Sequence, residues 1–256
     1  MPGSFRSCYA FRRAHRGCRG KLWASVVVER RCFRALLLIM GSSWRPQWNG
    51  RVTATDASDT GCGVATAAWP VAEVARCGRL AERTRFRRKD FTGARMAAMH
   101  AAGFVETSGG WAADGVLEEA DPDDDGLGVW ELDQSFPEVP AEWLRGERWT
   151  TCLSRRFKRP DGILYLEGVA LVMGLLRVAE SRYGAGVRQL MLVDNMSLCL
   201  AVSRGRANTF RLIRLLRQIA AICMARGIAL SVRWIPSELN PSDRGSRAVE
   251  DDTDKG

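Results

Sequence analysis

At 256 residues, with 46% hydrophobic and 26% charged side chains, the chain is long enough to bury one full core and too evenly composed for a fibrous or wholly disordered protein. Its formal charge of +9 favours anionic partners, phosphate polymers among them. Eight cysteines without a Cys-x-x-Cys pair, and only His15 and His100 beside them, argue against a zinc site and for reduced, mostly buried intracellular thiols; the longest apolar runs, 35–40 and 219–225, are far too short to span a bilayer.

Residues 1–48 form a basic segment. Up to position 34 they hold nine Arg or Lys against Glu29 alone, a composition shared by transit peptides but without a cleavage signal, so a piece of a larger polypeptide is the better reading. Trp44-Arg-Pro-Gln-Trp-Asn-Gly reads as a connector ending in a turn. Val52–Ser58 then favours β structure, and Gly61–Trp69 is the next strand after a short Gly-containing turn, which makes a hairpin.

Residues 70–148 lack a clear period and read as an insertion. They begin basic (82–89), pass a Gly- and Ala-rich stretch and become acidic at 118–126. Asp121, Asp123, Asp125 and Gly126 imitate the start of a calcium loop, but its twelfth position is Leu132 and the nearest acid, Glu131, stands one place early, which leaves a solvated loop as the better reading. Arg148–Leu153, short and largely polar, is the best candidate for a third strand.

Ile163–Tyr183 has helix-forming composition, with Leu164, Val169, Val172, Met173 and Leu176 apolar and two glycines beyond its end, so Glu167 falls in the first turns. Leu190–Val193 is a continuous apolar run, as expected of a central strand covered on both faces, with Asp194 at its carboxyl edge. Thr209–Arg226 reads as a helix stopped by Gly227; its Arg211, Arg214 and Arg217 drift slowly around one side. Ile228, Leu230, Val232 and Trp234 alternate with Ala229, Ser231 and Arg233, the period of a half-buried strand, and Pro236 ends it. Residues 248–256 read as an acidic, disordered tail. These elements predict an α/β domain over 49–247: a mixed five-stranded sheet in which an antiparallel meander supplies three strands and two parallel ones follow. Helices cover both faces, and the long insertion precedes the first core helix.

Four acids stand where strand or helix signals end: Asp56, Glu167, Asp194 and Asp243. A carboxylate after an apolar strand cannot enter the core cheaply, so it belongs at the sheet's rim, where ligands of α/β sheets bind. Several converging there need cations between them. Each acid also has a plainer reading: Asp56 as a turn former before Ser58, Glu167 as a first-turn residue satisfying the helix dipole, Asp194 and Asp243 as helix caps. Between Leu176 and Arg247 twelve arginines face Glu180, Asp194, Glu238 and Asp243, which suggests a phosphate-rich polymer beside the cation site.

The order strand Asp, helix Glu, strand-end Asp, post-strand Asp resembles the type 1 ribonuclease H domain. Val52-Thr-Ala-Thr-Asp-Ala-Ser-Asp-Thr-Gly-Cys-Gly, Leu192-Val-Asp-Asn and Trp234-Ile-Pro-Ser-Glu-Leu-Asn-Pro-Ser-Asp-Arg-Gly-Ser-Arg are similar to the ribonuclease H segment of retroelement reverse transcriptases, over about residues 50–69 and 160–247. The resemblance implies a ribonuclease H-like fold and a nuclease using two Mg²⁺ ions, with Asp56, Glu167 and Asp194 binding them and Asp243 completing one site. The implied substrate is the RNA strand of an RNA–DNA hybrid, cut to leave a 5′-phosphate. Arg204, Arg206, Arg211 and Arg214 are the candidates for backbone contacts, against an ordinary solvated role. Ser58 and Gly61 lie where RNA would approach Asp56, and Asn195 and Asn240 are polar neighbours that either touch substrate or serve as turn and cap residues. The family's polymerase signature, Tyr-x-Asp-Asp, does not occur in the sequence, so a reverse transcriptase polymerase domain would be missing or a separate partner, and 22–48 would be a remnant of the connection to it.

Three other functions compete. An integrase or transposase supplies its Glu last, from a helix, whereas here the Glu comes second and the last acid is Asp243. A nucleotide-binding relative of actin and sugar kinases wants a phosphate loop that Asp56-Ala-Ser-Asp-Thr-Gly offers only loosely. A catalytically decayed, nucleic-acid-binding remnant of a retroelement fits the long insertion and the missing polymerase signature, while the four intact acids favour an enzyme.

Overall fold

The computed structural model describes residues 6–15, 20–37, 46–88, 130–207 and 209–251. In chain order the elements are α1 (Arg6–Ala14), α2 (Ala24–Leu37), β1 (Gln47–Trp48), β2 (Arg51–Ala57), β3 (Gly61–Ala68), α3 (Val71–Gly78), β4 (Phe86–Arg88), β5 (Trp130–Leu132), β6 (Thr150–Arg156), α4 (Ile163–Glu180), β7 (Val187–Val193), α5 (Met196–Arg204), α6 (Phe210–Arg226), β8 (Ala229–Trp234) and α7 (Asp243–Asp251). No helix among the described residues is long and apolar enough to cross a membrane. Cys62, Cys77 and Cys199 are buried free thiols.

The main sheet is mixed and has six strands, one more than expected. β2 pairs antiparallel with β3, and β3 with β6; β2 and β7 are parallel, as are β7 and β8. The extra strand is β1, which pairs with Val187 and Arg188 of β7. Because β8 occupies β7's other edge from Arg188 onward, β1 and β2 must share one edge, interrupted at Asn49-Gly50. Fully buried Gln189 fills that interruption: its Oε1 accepts from Asn49 Nδ2 at 2.8 Å, and its Nε2 donates to the Arg51 and Leu190 carbonyls at 2.8 and 2.9 Å. A buried amide thus satisfies what the broken ladder leaves open.

β7 explains its own apolar run. Leu190 and Leu192 pack with Val52 and Ala54 of β2, α3, Trp69 and Trp143 on one face, while Met191 and Val193 pack with Leu171, Leu198, Leu212 and Leu215 from α4, α5 and α6 on the other. Trp69 and Trp143 stack at 4.9 Å and 11°. The α4 face is tight, and a Cβ on Gly174 would come within 2.7 Å of Thr55 Cγ2 and 2.9 Å of Met191 Cε, so only glycine lets the helix lie this close to β2 and β7. The third strand, β6, is half-buried at best because it is the sheet's edge, which accounts for its polar sequence. Thr209 caps α6 by accepting from Leu212 N at 3.4 Å, and Gly227 is its C-cap.

Two sequence boundaries move. The insertion is shorter than 70–148, because α3 on one side and Val139, Trp143 and Leu144 on the other belong to the core layer. Residues Arg83–Phe136 form a second compact unit, in which β4 pairs antiparallel with β5 and Arg85 Cζ lies 4.7 Å from the Phe136 ring centre. The calcium-like positions 121–126 lie outside the described residues. At the other end α7 continues to Asp251, into the stretch expected to be disordered; once its first turn is docked, each further residue costs little to add.

The ends of the core that flank the second unit are tied by one buried cation. Arg233 of β8 is fully buried, with Nε 2.6 Å from Glu82 Oε1 and Nη groups donating to the Cys77 and Pro137 carbonyls at 2.8 and 2.6 Å. Trp234 N donates to the same Glu82 oxygen at 3.1 Å. Removing the acid leaves a charge stranded in the core, so Glu82→Ala should lower the unfolding free energy by about 3–5 kcal/mol, read as a shifted urea midpoint. A loss below about 1 kcal/mol, the size of a surface pair, would mean that the guanidinium finds water there.

Candidate metal centre

Asp56 and Asp194 stand level at the carboxyl ends of neighbouring parallel strands. The β2–β7 ladder pairs Thr53 with Met191 and Ala54 with Leu192, and two residues further on each strand comes its aspartate. The ladder stops there, which leaves room between the two strand ends. Glu167, in the second turn of α4, reaches into the same space. One carboxylate oxygen from each of Asp56, Glu167 and Asp194 lies within 4.8 Å of the others.

Local structure fixes each group. Asp194 follows β7 directly; its carbonyl accepts from Trp234 Nε1 at 2.8 Å, and the next residue, Asn195, caps α5 by accepting from Leu198 N at 3.1 Å. The cap that is the plainer reading of Asp194 is therefore supplied by Asn195, one of the two roles open to that asparagine, which leaves the aspartate side chain out of the cap. Asp56 is held from the C-terminal segment: Asn240 Nδ2 donates to Oδ1 at 3.2 Å and Ser246 Oγ donates to Oδ2. The Asn240 amide is itself oriented, because its Oδ1 accepts from Ser242 N and Oγ at 3.1 and 2.6 Å.

α7 reaches Asp56 only because Gly63, its partner across β2 and β3, has no side chain. A Cβ there would collide with the Ser242 carbonyl oxygen and come within 2.6 Å of Ser246 N. Ser58 secures the same contact, with Oγ accepting from Gly61 N at 3.1 Å in the hairpin turn and lying 3.3 Å from the Ser246 carbonyl. Ser154 Oγ donates to the Gly245 carbonyl at 2.6 Å. Ser246 is the residue that sequence reasoning missed. It lies three residues beyond Asp243 and so shares its helix face, a signal available in the spacing.

Burial and mutual repulsion make the three carboxylates costly to ionise together. Burial first, then the charges of Asp194 and Asp56, raise the Glu167 pKa to about 9, although a hydrogen bond from the Ala57 backbone pulls the other way. Asp56 is raised to about 6, chiefly by burial and further by Asp194 and Asp243, against the Ser246 hydrogen bond. Glu167 Oε2 and Asp194 Oδ1 are buried without a hydrogen-bond partner. Three carboxylates converging within 4.8 Å, two of them with a buried oxygen that has no hydrogen-bond partner, fit a divalent cation, and an all-oxygen donor set suits a hard one.

Asp243 stands apart from this group. It is the first residue of α7, close enough to raise Asp56, but its Oδ1 accepts from Arg247 Nε at 2.8 Å and it is not one of the three converging carboxylates. The arginines also divide. Arg211 Nη1 lies 2.5 and 2.6 Å from the two Asp161 carboxylate oxygens, and with Arg214, Lys158, Arg159 and Tyr165 it lines a cavity of about 420 Å³ between α4 and α6. Arg206 sits 5.3 Å over the Tyr9 ring of α1, and Arg204 is exposed at the end of α5. Arg211 is thus engaged by Asp161 and not by the three converging carboxylates.

No protein-family model and no curated protein matches this chain.

The raised pKa values set a sign. Both acids bind their protons more tightly folded than unfolded, so their stabilising contribution is complete below about pH 4 and is lost as pH rises through about 6 for Asp56 and about 9 for Glu167. In chelator the melting temperature should fall from pH 5 to pH 9; Glu167→Gln should flatten that slope, and millimolar Mg²⁺ or Mn²⁺ should raise the melting temperature most at the alkaline end. A wild-type slope equal to that of Glu167→Gln would contradict the assignment.

Proposed function

We propose that the chain is a divalent-metal-dependent nuclease of the ribonuclease H type, cutting the RNA strand of RNA–DNA hybrids and derived from a retroelement reverse transcriptase. The observation that carries this reading is the meeting of Asp56, Glu167 and Asp194, from a strand, a helix and the end of a neighbouring parallel strand, in the chain order that the resemblance implies. The antiparallel order of β2, β3 and β6 followed by parallel β7 and β8 supports a ribonuclease H-like fold. Two Mg²⁺ ions are the proposed cofactor; bound, they supply the positive charge that activates a water and stabilises the leaving 3′ oxygen.

The chain's own residues do the rest. Asn240 and Ser246 restrain the Asp56 carboxylate, which keeps an oxygen within 4.8 Å of oxygens of Glu167 and Asp194. Trp234 and the Asn195 cap fix the strand end that presents Asp194. Asp243, on the α7 side of Asp56, is proposed to join the cluster by releasing Arg247, an exposed pair of little intrinsic strength. The cavity between α4 and α6 gathers Lys158, Arg159, Arg211 and Arg214 around Asp161, and it begins at the helix that carries Glu167. That charge balance suits a nucleic-acid backbone phosphate, with Arg211 exchanging Asp161 for it. Ser58 and Asn195 are occupied by turn and cap bonds, so their proposed share in substrate contact is through position near the site rather than through free side chains. A polymerase domain on a separate chain is the proposed partner.

The test is cleavage of a labelled RNA–DNA hybrid in Mg²⁺ by wild type and Asp194→Asn. The variant should lose at least about 100-fold in rate, more than loss of an outer-shell partner costs, while hybrid binding in chelator persists. Arg211→Ala with Arg214→Ala should reduce the slope of log affinity against log salt by about 2. Hybrid binding without cleavage by the wild type at any divalent-ion concentration would instead identify a decayed, binding-only descendant.

A further inference from the structure

The N-terminal helices carry an unusual division of charge. Between positions 6 and 37 Glu29 is the only acid. Its carboxylate is turned inward from α2 onto the start of α1, where it accepts from Ser7 N at 2.9 Å and Cys8 N at 3.0 Å. Burial alone would raise its pKa, but the backbone and side-chain hydrogen bonds from Ser7 and Cys8 together hold it below the usual glutamate range. The single negative charge is thus spent on α1's open amides, and Arg12, Lys21, Arg30, Arg31 and Arg34 are exposed around it.

Aromatic rings interleave these cations. Phe11 and His15 stack at 4.3 Å, and Trp23 meets both edge-on, at 5.4 and 5.9 Å. Trp23 opens α2, its carbonyl accepting from Val27 N at 3.1 Å, which fixes where the ring stands. A ring serving only to staple the helices would be covered, yet Trp23 is 40% exposed and Tyr9 46%. Tyr9 also carries Arg206 above it at 5.3 Å, so the patch continues into the basic turn between α5 and α6.

We propose that α1 and α2 form a binding surface for single-stranded nucleic acid. Cations alone would suit any polyanion, but exposed aromatic rings add affinity only for bases whose faces are open, and a duplex keeps its base faces stacked. The surface would engage the unpaired strand flanking whatever duplex the arginine-lined cavity holds, independently of catalysis.

Fluorescence anisotropy of the full chain in chelator tests this, with a labelled mixed-sequence 12-nucleotide RNA, the matching DNA strand and the hybrid of the two. Trp23→Ala should weaken binding of both single strands at least about fivefold, the cost of one lost stacking partner, and leave hybrid binding unchanged. Trp23→Tyr should retain most of the affinity, which separates stacking from a folding defect. Arg12→Ala with Lys21→Ala should reduce the single-strand salt slope by about 1.4. Unchanged single-strand affinity in Trp23→Ala, or an equal loss for the hybrid, would overturn the proposal. So would binding to vesicles containing phosphatidylserine that Trp23→Ala abolishes while single-strand binding stays intact, an outcome that assigns the patch to a membrane surface. No arm reads cleavage, so the result stands apart from the nuclease reading.

Discussion

Three carboxylates held within 4.8 Å of one another at the open end of a sheet repel, and much of the surrounding structure is arranged to keep them there. Asp56 and Asp194 are brought level by the β2–β7 register, and Glu167 is brought in by a helix that lies close to the sheet because Gly174 carries no side chain. α7 leans onto β3 at Gly63 so that Ser246 and Asn240 can each give a hydrogen bond to Asp56. Burial and the neighbouring charges favour the protonated form of Glu167 most strongly, to about 9, and that of Asp56 less, to about 6. Acidity and local stability at this end of the sheet are therefore coupled, and a cation bound among the three carboxylates would couple to both.

The chain leaves the core at Glu82 and returns to it at Pro137. These two junctions both bind Arg233, whose neighbour Trp234 in turn fixes the carbonyl of Asp194. β8 is thus the element through which the insertion's anchor and the strand end that presents Asp194 share a backbone. An ion pair this deep is a poor source of stability compared with apolar packing, but it enforces one register of chain crossing at the point where 54 residues, 83–136, are let out of the fold.

The elements that carry the acids were legible because period and composition agreed. The hairpin, the helix of Glu167, the two parallel strands and the capped helix 210–226 all lie within a few residues of where alternation, apolar runs and Gly or Thr signals put them. Asp56 and Asp194 fall on adjacent strands, as the expected strand order requires. Other features left no local signal. Trp143 and Leu144 are core residues reached through a loop and a short 3-10 turn, so no period announces them. β1 is two residues long and depends on Gln189, far away in sequence. Asn195 took the cap that Asp194 was equally suited to, a choice made by the direction of the chain after β7 and invisible in the pair of residues alone. Ser246, by contrast, had a signal in its spacing from Asp243, but a small hydroxyl one turn from an acid is common on any helix and does not single itself out.

Crystals soaked in Mn²⁺ and measured at its absorption edge test the central claim most directly. Anomalous density should stand among Asp56, Glu167 and Asp194, within coordination distance of the two oxygens that lack hydrogen-bond partners, and should vanish in Asp194→Asn. Saturating Mn²⁺ with no density at these three carboxylates, or density only elsewhere on the surface, would contradict it.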